Sequence, residues 1–421
     1  MRHNANQTVV ERFSAADPVL IDVRPAIEVV PGMRANTILT SGAPLASDQY
    51  SGGQRRAILN AAVFEGLAAT ESDAAQKVAK GEIVVEPCHH HGCVGSVAGV
   101  YSASMPVFVV SNAAGGNLGF CNFYEGESRQ RLNYGSYGPD VVEGLVRVRD
   151  VLAPVVGEAV RLMGGVPLKP IIRRALNMGD ELHSRNTAST ALFAREIFPA
   201  LVDIATRRRD DVLKTIEVLT RSDYFFLRLS MAAAKATADA GHGVTGSSVV
   251  TAMSYSSREF SIRVSGLGGR WFRGPLPTVE AKFFDGFSAA DIDWIGGESI
   301  ILETIGLGGL SQAAAFPLQD YQGGSPDAMM RNNEAMYSIT AGEHRDYRIP
   351  VFGFRGAPAG IDIFKVVERR ITPFCDVGLA GKAGGQIGAG LLRPPLECFE
   401  AAAKAYIEQY GHDAAAQRAE A

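Results

Sequence analysis

TASTALFAREIFPALVDI, residues 187–204, is the stretch on which the reading of the fold turns. Leu192, Phe193, Ile197, Leu201 and Ile204 recur at three- and four-residue intervals and share one face of a helix. Working outward, the same period continues. Val141 to Met163 carries it with an interruption expected at Pro154, and Val212, Leu213, Ile216 and Leu219 repeat it. Asp223 is placed to cap a further helix through Ala240, which stops at Gly241-His242-Gly243. Residues 141–243 therefore read as a helical block.

On either side the pattern is mixed. Val19 to Val23, Ile83 to Val85, Pro106 to Val110 and Gly119 to Tyr124 read as strands. Ala57 to Ala69 reads as a helix, and Ser72 is expected to cap a short one ending at Gly81. Beyond the block, Val249 to Tyr255 and Phe260 to Val264 suggest a hairpin. Ser325-Pro326-Asp327 opens a helix expected to reach Gly342. Pro350 to Phe354 reads as a strand, and Pro395 to Tyr410 as a closing helix. The fold class expected is α+β and multi-domain, two mixed α/β domains with a central helical domain. The divisions are 1–140, 141–243 and 244–411, with a flexible tail at 412–421.

Composition narrows the function. The chain has 421 residues, 46% hydrophobic and 20% charged, with net charge -4. That balance gives no global attraction for nucleic acid or anionic membrane. Five cysteines at low density argue against a disulfide framework. The polar N-terminus lacks an apolar signal region, and no apolar run approaches about 18 residues. A cytoplasmic location is the expectation.

Four segments can carry chemistry. In Cys88-His89-His90-His91-Gly92-Cys93, an extended strand exit would turn His89 and His91 to one side. Cys88, His89, His91 and Cys93 form an alternative metal set, but no second ligand pair completes a zinc site, so no metal and no cofactor is the primary expectation. In Met178 to Asn186, Asp180 and His183 suit a base and a proton carrier, and Arg185 and Asn186 an anion clamp. The same residues also suit a polar turn with Asn186 capping the next helix. Arg263, Gly268 and Arg270 frame a glycine loop able to cradle an anion or simply turn a hairpin. Arg355, Lys382 and Gln386 lie in or beside the glycine-rich C-terminal stretches, and Glu303 is a carboxylate in an apolar run that needs a partner if buried.

Several longer motifs carry a resemblance. DVRPAIEVVPGM (22–33), EPCHHHGCVG (86–95), SASMPVFVV (102–110), NMGDELHSRN (177–186), FFLRLSMAAAKA (225–236), RVSGLGGRWF (263–272), ETIGLGG (303–309), FRGAPAGID (354–362) and GQIGAGL (385–391) resemble the YlbE/YahG-type family. That family includes the AllG subunit of bacterial oxamate carbamoyltransferase. The resemblance runs from about residue 5 to 400. It implies a multi-domain α+β fold, a CoA-ligase-like (FdrA/AllF-type) partner and a small AllH-type subunit, and it leaves a homo-oligomer open. It also implies a joint reaction, phosphorolysis of oxalurate to oxamate and carbamoyl phosphate in allantoin and nitrogen catabolism. It brings over no catalytic residue. The Ser-Thr-Arg-Thr-Arg phosphate loop of ordinary carbamoyltransferases is absent. On this reading Arg263, Arg270, Arg355 and Lys382 hold phosphate and carboxylate, while His89 or His91 polarises the carbonyl or protonates the leaving nitrogen. The competing readings are a metal-dependent hydrolase or lyase using the Cys/His cluster, and a non-catalytic scaffold subunit.

Overall fold

Sixteen strands are present among the residues described by the computed structural model, which are 2–126 and 130–411. The expected flexible tail at 412–421 lies outside them. The first half contributes β1 (Pro18–Pro25), β2 (Thr37–Thr40), β3 (Val84–Pro87), β4 (Cys93–Val94), β5 (Pro106–Asn112), β6 (Leu118–Asn122) and β7 (Val166–Pro167). The second half adds β8 (Val250–Ser256), β9 (Phe260–Val264), β10 (Trp271–Gly274), β11 (Thr278–Phe283), β12 (Gly296–Gly297), β13 (Thr340–Ile349), β14 (Arg355–Ile361), β15 (Cys375–Ala380) and β16 (Gln386–Arg393).

These strands make several small sheets, and the architecture is α+β. The largest sheet runs β4-β6-β5-β1-β7; a second runs β10-β9-β8-β12, and a third β11-β16-β15. Strand period explains how β5 organises the first. Phe108 and Val110 enter the main apolar core, while the alternate residues Val107 and Val109 enter a separate core with Cys88, Cys93 and Tyr101. The helix Phe225–Ala240 lies across β5 and β6. Its first residue is an aromatic hub: the Phe225 ring meets Phe123 at 5.5 Å and both Phe108 and Phe193 at 5.8 Å. The main core draws on residues from Val9 to Ala357.

One glycine sets how closely this helix approaches. A Cβ on Gly119 would stand 2.4 Å from the Ala232 carbonyl oxygen and 2.7 Å from the Ala236 nitrogen, both backbone. Gly119→Ala is therefore expected to cost roughly 1–3 kcal/mol by overpacking. Urea unfolding measures it, and an unchanged midpoint would contradict the close approach.

Several local expectations change. The helix read from Ala57 spans Gly52–Phe64, earlier in the chain. Thr70, not Ser72, caps Glu71–Ala79, accepting from the Asp73 N–H. Pro154 does not break its helix, because a wider π turn at Val148–Leu152 precedes it and absorbs the missing donor. Asp223 is not a cap. The Phe226 N–H is met instead by the Thr190 hydroxyl from the neighbouring Thr187–Ala205 helix, a partner no local pattern can reveal. The helix opened by Ser325 ends at Ile339, where β13 begins. Pro350–Phe352 is a 3-10 turn between β13 and β14, not a strand.

The glycine-dense stretch around Gly388 is regular structure. It forms β16, the middle strand of its sheet. Cβ atoms on Gly388 and Gly390 would approach the Lys282 and Glu280 carbonyl oxygens at 2.6 and 2.0 Å. These glycines serve close strand approach.

Candidate functional site

A small cavity of about 100 Å³ lies where loops after β4 and β6, the 177–186 loop, the Phe225–Ala240 helix and the β15/β16 pair meet. A water needs roughly 10–15 Å³ of such space, so the volume suits one small metabolite. His183, Arg228, Arg131, Ser96, Ser184 and Gln386 are among its lining residues.

The His183 loop is held from within. The Glu181 carboxylate accepts from the backbone N–H groups of His183, Ser184 and Arg185. Leu182 takes φ 76°, a sparsely populated conformation for a residue with a Cβ, and its side chain is buried. Asp180 accepts from the Ser189 N–H at 2.7 Å and its hydroxyl at 3.0 Å, so it closes the start of the Thr187–Ala205 helix. Asn186 makes no cap bond there and donates instead to the His183 carbonyl. Arg185 donates to Gly179 O and Thr187 Oγ1. From this segment, His183 and Ser184 reach the cavity wall.

Behind the imidazole stand two fully buried carboxylates. His183 Nδ1 lies 2.8 Å from Glu303 Oε1, which also accepts from the Gly309 and Asp376 N–H groups at 3.0 and 2.8 Å. Burial opposes the imidazolium, but Glu303 outweighs it and raises the His183 pKa. Burial and the charge of Glu303 push Asp376 up to about 6. The ring leaves Nε2 as the nitrogen available to the cavity.

Arg228 supplies the opposite charge. It is 4% exposed, and its Nε and Nη1 make no hydrogen bond among the described residues. Arg131 lies over the Tyr134 ring at 4.6 Å and donates to Gly126 O. Gln386 is tied into a polar rim by Tyr134 and Tyr321. The expectations above did not single out Arg228. A signal existed: Arg228 and Lys235 are seven residues apart on the Phe225–Ala240 helix, and that spacing puts both on one face.

The Cys/His segment is arranged differently from its reading. Cys88–His91 is a 3-10 turn, so the expected alternation of His89 and His91 is lost. His89 points inward. Its Nδ1 is 3.2 Å from Lys235 Nζ, which pairs with Asp239 at 2.7 Å; Arg263 pairs with the same carboxylate at 2.7 Å. Burial, then Lys235 and Arg263, hold His89 well below the usual imidazole range. His91 turns outward to Pro31 O and Glu86. Cys88 and Cys93 face the carbonyls of Gly99 and His91, and burial pushes both thiols up. Cys88, His89, His91 and Cys93 share no common center, which corrects the alternative ligand set.

The remaining predicted residues do not converge on the cavity. Gly268 and Arg270 lie on an exposed turn, with Arg270 over the Phe272 ring. Arg355 pairs with Glu343 and stacks on Tyr337 at 3.6 Å. Lys382 is exposed and donates to Ala290 O. Arg263 stays with Asp239.

Glu298 links this inner network to the cavity wall. It accepts from the Gly42 and Gly95 N–H groups and the Ser254 hydroxyl, and its neighbor Ser299 lines the cavity. Burial pushes Glu298 up to about 7, against about 4.3 in an unfolded chain. Between those values the native state holds a proton that the unfolded chain has released. Stability is therefore expected to fall as pH rises from about 5 to 8. Urea unfolding at both pH values checks this, and Glu298→Gln should show a smaller loss. Equal losses would remove Glu298 from the account.

Comparison with known proteins places this geometry among relatives. The family described as oxamate carbamoyltransferase subunit AllG matches residues 83–299. An uncharacterized Escherichia coli K12 protein, YahG, is 40% identical over 409 residues, covering 97% of this chain and 86% of the relative. The E. coli K12 oxamate carbamoyltransferase subunit AllG is 39% identical over 412 residues, covering 97% and 98%. A crystal structure of a conserved protein of unknown function from Enterococcus faecalis V583 superposes with TM-score 0.93 at 38% identity, covering 96% of this chain and 97% of that one.

Proposed function

The chain belongs to the oxamate carbamoyltransferase AllG family, and from that premise we propose that it is a carbamoyltransferase subunit acting on oxalurate or a related ureido compound. One observation carries the reading: Arg228, a buried guanidinium whose Nε and Nη1 have no hydrogen-bond partner among the described residues, lines a small cavity shared with His183. A buried charge without a partner costs several kcal/mol, and a bound anion offsets that cost. Guanidinium matches carboxylate or phosphate with paired hydrogen bonds.

Oxalurate presents a carboxylate at one end and a ureido carbonyl at the other. With the carboxylate or the attacking phosphate on Arg228 and Arg131, the carbonyl faces the hydroxyls of Ser96, Ser184 and Ser299 and the His183 ring. Those donors suit the oxyanion that forms when phosphate oxygen adds to the carbonyl carbon. Collapse breaks the bond to the imide nitrogen, leaving carbamoyl phosphate and oxamate. One proton passes from phosphate to the departing nitrogen, and the cavity's hydroxyls and imidazole are the groups available to carry it. The CoA-ligase-like and small AllH-type chains are the proposed partners. The network around His89 acts behind the wall, as support.

Reconstitution tests this. The chain with its two partner subunits, given oxalurate and phosphate, should yield oxamate and carbamoyl phosphate in equal amounts by mass spectrometry. Absence of both products, together with no binding of oxamate or phosphate to the chain, would overturn the reading.

A further inference from the structure

We infer that His183, Glu303 and Asp376 form a divalent metal site behind the imidazole that lines this cavity. One donor atom from each lies within 4.8 Å of the others, and all three residues are buried. First-row ions bind imidazole and carboxylate oxygen at close range, so a small inward shift brings such a set onto one ion.

The hydrogen bonding favors a cation over shared protons. Glu303 Oε1 is saturated by three donors, and Asp376 Oδ1 accepts from Gln312 at 3.1 Å. The second oxygen of each carboxylate, Glu303 Oε2 and Asp376 Oδ2, is buried with no hydrogen-bond partner. Two carboxyl groups sharing a proton would hydrogen-bond to each other. Here, among the described residues, each carboxylate keeps one buried oxygen without a partner, while His183 Nδ1 meets Glu303 through Oε1. Glu181, a third buried carboxyl group, is occupied by the backbone of its own loop. A buried cluster this acidic is relieved by a cation.

The ligand set specifies the ion class. One nitrogen and two oxygens, without thiolate, suit manganese or zinc. Three protein ligands leave positions open, and His183 lines the cavity. With Nδ1 on the ion, the ring's Nε2–H becomes a fixed donor toward the cavity. An ion there would fix the orientation of the His183 ring against the proposed substrate, and only this role rests on the carbamoyl-transfer reading.

The test uses the full chain, stripped with EDTA and dialyzed against MnCl2 or ZnCl2. After desalting, elemental analysis should find about one ion per chain for at least one of the two metals, with a rise in thermal midpoint. Asp376→Asn and, independently, His183→Gln should weaken retention by at least about tenfold. Circular dichroism checks that each variant is folded, and a folded variant of either kind suffices. Retention far below one ion, or equal retention in folded variants, would overturn the site. Binding is read without substrate or partners. A chain that holds the ion but yields no carbamoyl phosphate keeps this site and loses the proposed reaction. Full turnover by metal-free chain keeps the reaction and removes the ion from it.

Discussion

Arg228→Met is expected to lower kcat/KM of the reconstituted enzyme by about 10²-fold while making the chain more stable. The first effect follows from removing a buried cation that pairs with an anionic ligand; such truncations cost roughly 2–5 kcal/mol. The second follows from the same burial. Methionine fills a similar apolar path, and removing a buried charge whose Nε and Nη1 lack partners relieves a desolvation penalty on the order of a few kcal/mol. The two signs together discriminate between roles. An arginine present for structure would lose stability on replacement and leave turnover of the surviving protein intact. Arg228→Lys should recover part of the activity, because the charge returns without the planar fork. Steady-state kinetics and urea unfolding on the same preparations decide it. A stability loss with unchanged kcat/KM would remove Arg228 from ligand binding.

Phe225→Ala is expected to destabilize the fold by about 3–5 kcal/mol, in the range for deleting a buried aromatic side chain. Phe225 is 1% exposed and contacts aromatic rings from β5, the segment after β6 and the Thr187–Ala205 helix. Removing it opens a cavity that these rigid rings cannot fill by small shifts. Tyr124 packs edge-on against Phe225 and also lines the ligand cavity. Ligand affinity should therefore weaken along with stability. Phe225→Leu keeps most of the volume and should lose less on both counts. Urea unfolding and isothermal titration with oxamate measure the pair, and an Ala variant within about 1 kcal/mol of wild type would contradict the hub.

The helices were legible because their signal is local. Leu192, Phe193, Ile197, Leu201 and Ile204 repeat at helical spacing, and all five are buried in the main core. The β8/β9 hairpin was legible for the same reason. Caps were less so. Thr190 satisfies the Phe226 amide from 36 positions away. Glycine misled most: near Gly388 and Gly390 it looked like flexibility, and it allows two strand backbones to touch.

The candidate site divided along the same line. His183 stood out as a proton carrier, Glu303 as a carboxylate that needs a partner if buried, and Gln386 as part of a glycine motif. Arg228 was not singled out. Arg263, Arg355 and Lys382 looked like anion clamps, and in the structure Asp239, Glu343 and Ala290 O already hold them.

The sequence by itself determined the family and the α+β class. Motif identity and hydrophobic period are written along the chain within a few residues of each other. Only the tertiary structure decided which charges stay unpaired, because pairing depends on neighbors that the chain brings from far away. His183 meets Glu303 across 120 positions, and Glu303 meets the Asp376 backbone across a further 73. Arg228 finds no such partner for its Nε and Nη1, and that absence marks the cavity.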